Sequence, residues 1–88
     1  MEKIKLNFKE IDNLYPESIL VAMWVGSDDV MVEAGDEMLE RVRNDIGMPN
    51  TTLGEALRWV LDDMSGNSFE VITIKDGKFC EVDLIWDD

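Results

Sequence analysis

The chain has 88 residues, of which 20 are acidic and 8 basic, giving a formal charge of −12. That length points to one α+β domain over residues 1–88, and 45% apolar residues argue for a folded core over disorder. The charge is beyond the magnitude of about 2–8 that solubility asks of a small domain; it disfavours direct contact with nucleic acid or an anionic membrane and favours a protein partner with a basic surface.

Lys3 to Lys9 alternates, with Ile4, Leu6 and Phe8 on one side and Lys3, Lys5, Asn7 and Lys9 on the other. This predicts a half-buried strand. Its outward lysines suit a sheet edge, where charge discourages pairing with another chain, and would also partly neutralise the acids that follow. Residues 10–18 form a connection in which Ile11, Leu14 and Tyr15 make one helical turn, closed by Pro16.

Ser18 to Val25 is nearly continuously apolar, which predicts a central strand buried on both faces with Trp24 in the core. Gly26-Ser27-Asp28-Asp29 marks a turn. The next segment has two readings. Val30-Met31-Val32 forms a third strand hairpinned onto the second, or Ser27 caps one long helix. Gly35 inside such a helix would cost up to about 1 kcal/mol, so strand followed by helix from about Asp36 to Ile46 is preferred. Met38, Leu39, Val42 and Ile46 are its inner face, and Glu37 and Arg41 stand four apart as an ion pair.

Gly47 and Pro49 stop that helix. Thr52-Leu53-Gly54-Glu55 has the form of a capping box, opening a helix with the stripe Leu53, Ala56, Leu57, Val60, Leu61 and Met64. Trp59 lies at the stripe's edge, and the helix ends near Gly66. Asp76-Gly77 then predicts a two-residue hairpin turn. Phe69, Val71, Thr73, Cys80, Val82 and Leu84 face the core; Ile72, Ile74 and Phe79, with Glu70, Glu81 and Asp83, face away. The expected fold is a mostly antiparallel sheet in the order strand, strand, strand, helix, helix, hairpin, with both helices on one face.

Catalytic chemistry finds few groups. There is no histidine and one cysteine, which removes the commonest general base and leaves a zinc site to carboxylates alone. Cys80 reads as a small core residue, and a lone cysteine sets a reducing, cytoplasmic compartment as the default. The glycines form no phosphate-binding loop. The carboxylate pairs are adjacent in sequence, whereas two-carboxylate catalysis needs groups converging from separate elements. No enzyme activity, cofactor or metal is expected.

The acids themselves are concentrated. Residues 10–40 hold nine carboxylates and no lysine or arginine. Asp28, Asp29, Glu33, Asp36, Glu37 and Glu40, joined by Asp83, Asp87 and Asp88, would imitate the phosphates of a nucleic acid and block the basic groove of a nuclease or other nucleic-acid-binding protein. In size, charge and lack of catalytic groups the chain resembles the small acidic phage proteins that block restriction or CRISPR nucleases, and acidic immunity proteins paired with toxins. Trp59, Ile72, Ile74 and Phe79 offer an apolar contact instead. The alternative function is a structural or adaptor protein that homodimerises through the outer face of the hairpin.

Overall fold

The computed structural model describes residues 1–25, 28–63 and 67–86. Strand β1 (Glu2–Asn7) leads into a single helical turn, α1 (Phe8–Ile11), capped at its start by the Asn7 side chain. A 3-10 turn at Pro16–Ser18 precedes β2 (Ile19–Val25) and β3 (Asp29–Ala34). Helices α2 (Gly35–Asn44) and α3 (Leu53–Asp63) follow, then β4 (Ser68–Lys75) and β5 (Lys78–Ile85). The five strands form one mixed sheet in the order β1-β5-β4-β2-β3. Only β1 and β5 run parallel; the other neighbours are antiparallel.

Segment 29–34 is therefore a strand, hairpinned onto β2. Gly35 is the first residue of α2, so it carries none of the interior cost that argued against one long helix. The β4–β5 turn pairs Lys75 with Lys78 and Ile74 with Phe79, as the Asp-Gly signal predicts. Both turn residues take positive φ, 52° at Asp76 and 76° at Gly77, the left-handed geometry that matches strand twist. The positions read above as turn, cap, stripe end and helix stop at Gly26, Ser27, Met64 and Gly66 lie outside the described residues.

The core lies on one side of the sheet. Ile19, Val21 and Met23 of β2, Val71 of β4 and Val82 of β5 meet Met38, Leu39 and Val42 of α2 and Leu53, Ala56, Leu57, Val60 and Leu61 of α3. The Thr52 capping box is formed, with the Thr52 hydroxyl accepting from Glu55 N and the Glu55 carboxylate accepting from Thr52 N. The Asp12 carboxylate caps the same helix from outside, accepting from Gly54 N at 2.7 Å. That approach requires glycine, because a Cβ at 54 would collide with the Phe8 carbonyl oxygen. Cys80 is fully buried.

Three expectations are corrected. β2 is interior to the sheet but buried on one face only, because both helices lie on the same side. Trp24 points to the bare side and is 40% exposed. Phe8 is buried but belongs to α1, since the strand ends at Asn7. Lys3 and Lys5 sit at the sheet edge farthest from β3, where Lys3 approaches Glu81 at 3.9 Å, so they stand away from the β3 acids, and only Lys9, on α1 beside Asp12, stays near the 10–40 stretch.

Candidate functional site

Strand β3 is one of the two end strands of the sheet, and its only strand neighbour among the described residues is β2. Val30, Met31 and Val32 are 50%, 55% and 62% exposed. Cross-strand register assigns their sides: Met31 and Glu33 lie opposite Met23 and Val21 on the helix side, and Val30 and Val32 lie opposite Trp24 and Ala22 on the bare side.

On the helix side, β3, α2 and α3 enclose a cleft of about 290 Å³ lined by Met23, Met31, Trp59, Val60, Glu33, Arg41 and Asp63. Its floor is apolar and its rim is charged. Arg41 does not pair with Glu37 along the helix; it reaches back to β3. Its Nε donates to Glu33 Oε2 at 2.9 Å and its Nη2 to Oε1 at 2.8 Å, a two-pronged contact that fixes both side chains. The Arg41 pKa is raised, chiefly by this hydrogen-bonded carboxylate and further by the charges of Glu33, Asp45 and Asp63, against partial desolvation. Arg43 is engaged too, donating through Nε and Nη2 to the Thr51 carbonyl at 3.0 and 2.9 Å.

Arg41 is thus charge-paired with Glu33, while Arg43 stays exposed with its charge among the carboxylates of this side. Asp28 and Asp29 are exposed at the start of β3, and Asp36, Glu37 and Glu40 are exposed on the first two turns of α2, which begins at the other end of that strand, about 17 Å away. Asp36 Oδ1 accepts from Glu37 N at 2.9 Å, and acids in a first turn are favoured by the helix dipole.

The other site expectations separate from this group. Glu33 is half-buried and committed to Arg41. Asp83 stands on β5, three strands from β3 and so about 14 Å across the sheet, facing its bare side. Asp87 and Asp88 lie outside the described residues. Trp59 is half-buried in the cleft wall. Trp86, 47% exposed, meets the Phe8 ring edge-on at 4.8 Å.

Ile72, Ile74 and Phe79 do lie together on the bare side, with Ile74 and Phe79 51% and 59% exposed. The patch is larger than the hairpin alone suggests, because Leu20, Trp24, Val30 and Val32 continue it across β2 and β3. The signal for those four was in the sequence as alternate members of two apolar runs, but only topology shows that nothing is packed on that side among the described residues.

Among the described residues no group of three or more His, Cys, Asp or Glu converges as a metal site, and no helix is long and apolar enough to cross a membrane. What the arrangement offers is binding: a free strand edge, an apolar cleft with a charged rim, exposed carboxylates and a bare sheet face. No family model matches the chain, and neither a curated protein nor a solved structure matches it. The class is thus set by the fold itself, a small α+β domain whose mixed sheet is covered on one side.

Proposed function

We propose that this protein is a non-catalytic inhibitor that binds a basic, nucleic-acid-binding protein such as a nuclease. It would present the carboxylates of Asp28, Asp29, Asp36, Glu37 and Glu40 where that partner expects phosphates. The observation that carries the reading is the set of exposed acids at the start of β3 and on the first two turns of α2, beside an Arg41 whose charge is already paired with Glu33. The phosphate-like surface is then the β3–α2 side alone, without Asp83. A partner surface rich in lysine and arginine meets it by charge, with fast, salt-dependent association. The buried lone cysteine suits a reducing cytosol.

The test is capture from a bacterial lysate on the immobilised protein. Nucleic-acid enzymes should bind at low salt, elute by about 0.5 M salt, and be displaced by added duplex DNA. Retention at high salt with indifference to DNA would contradict phosphate mimicry.

A second reading, a homodimeric adaptor, is favoured by the bare face of Leu20, Trp24, Val30, Val32, Ile74 and Phe79, since contiguous exposed apolar surface marks interaction sites. Under it, Ile74→Glu with Phe79→Glu turns a dimer into a monomer by sedimentation. An unchanged mass counts against it.

A further inference from the structure

The two edges of the sheet are treated differently. Edge strands are ordinarily guarded by lysine, proline or a bulge, which keep other chains from pairing with the free backbone. β1 follows that rule, with Lys3 and Lys5 exposed along it. β3 is guarded less. Its charges are Asp29 at its start and Glu33, tied to Arg41; between them Val30-Met31-Val32 carries neither charge nor proline, and the register with β2 is unbroken over six pairs. Such an edge is a template for one more strand.

We infer that the outer edge of β3 docks an extended segment of a basic partner protein, which adds to the sheet as a sixth strand; this rests on the reading above that the partner is basic. The register specifies the segment. Side chains set opposite Asp29, Met31 and Glu33 lie on the helix side, above the cleft of Met31, Trp59 and Asp63. Lysine or arginine suits those positions, with its aliphatic stem against Trp59 and its charge toward Asp29 and Asp63. Side chains set opposite Val30 and Val32 lie on the bare side beside Trp24, where valine or isoleucine suits. The recognised sequence therefore alternates basic and apolar residues. A second copy of this chain fits the edge badly: antiparallel self-pairing about Met31 sets Asp29 against Glu33 twice, and like charges directly opposite are destabilising.

The probe is a fluorescein-labelled heptapeptide alternating lysine and valine, titrated against the full chain by anisotropy at about 50 mM salt. Two companions carry N-methyl groups on alternate amides, one along each edge of the peptide. A third has the same composition with lysines and valines in separate blocks. Strand addition predicts that methylation along one edge weakens binding about tenfold or more while the other edge tolerates it. It also predicts that the block peptide is weaker by a similar factor and that β3 amides gain protection from hydrogen exchange. Equal binding by all four peptides overturns strand addition in favour of simple charge capture and leaves the basic-partner reading standing. Absence of binding by the alternating peptide overturns it as well. A dimer in sedimentation that the peptide dissociates assigns the edge to a second copy, which also overturns it. Salt-insensitive lysate capture would instead defeat the basic-partner reading, whatever the peptides do.

Discussion

Gly54 shows how closely single positions are constrained. Its backbone N–H donates to Asp12, and its missing side chain lets the Phe8 carbonyl sit against the first turn of α3. A methyl group there meets backbone and a fixed carboxylate, neither of which yields as a flexible side-chain tip would. Gly54→Ala should destabilise by about 2 kcal/mol or more despite the better helix propensity of alanine. Urea unfolding measures this, and a midpoint equal to the parent's would contradict the packing described. Arg41 is the other constrained position. Its raised pKa, chiefly from the Glu33 hydrogen bond, keeps the guanidinium charged as pH rises, so on the alkaline side its contribution is lost as pH climbs through the raised value. The pair that closes the cleft is thus constant across neutral pH.

At the scale of elements, what the sequence made legible was whatever depends on local chemistry. The α3 stripe and its capping box, the Asp-Gly hairpin with its register, and the inner face of α2 all follow from periodicity and turn residues. Segment 27–36 was ambiguous because Ser27 with two following aspartates has the form of a helix start, although Val-Met-Val is a poor helix opening and Gly35 would fall inside such a helix. β2 was misread for a different reason. A continuous apolar run signals apolar surroundings on both faces, but whether a second layer covers the far face depends on where the helices go. Here both go to one side, so neighbours in β2 have opposite environments: Met23 is 3% exposed and Trp24 is 40% exposed. Met23→Ala should therefore cost about 2–5 kcal/mol, while Trp24→Thr, which keeps a good strand former, should cost under about 1 kcal/mol. Thermal unfolding of the two variants checks the assignment, and a larger loss at Trp24 would contradict it.

For the whole molecule, charge was legible and its geometry was not. Counting residues located the acids in positions 10–40, but the sheet order decides that Asp83 stands apart, and the Arg41–Glu33 contact withdraws Glu33 from the free set. A domain with a formal charge of −12 repels itself, and salt screens that repulsion. Raising salt from about 10 mM to 0.5 M should lift Tm by several degrees, since about 1 kcal/mol shifts Tm by roughly 4–8 °C at this size. A flat response would mean that the acids are already compensated.

In the proposed function the β3–α2 carboxylates select a basic partner while contributing little to the fold. The most direct measurement is lysate capture by the variant carrying Asp28→Lys, Asp29→Lys, Asp36→Lys and Glu37→Lys, alongside its circular dichroism and Tm. The DNA-displaceable proteins bound by the parent chain should disappear from the variant, while its spectrum stays that of the parent and its Tm is no lower. Retention of the same proteins by a folded, charge-reversed variant would contradict it and move the binding surface to the bare face of the sheet.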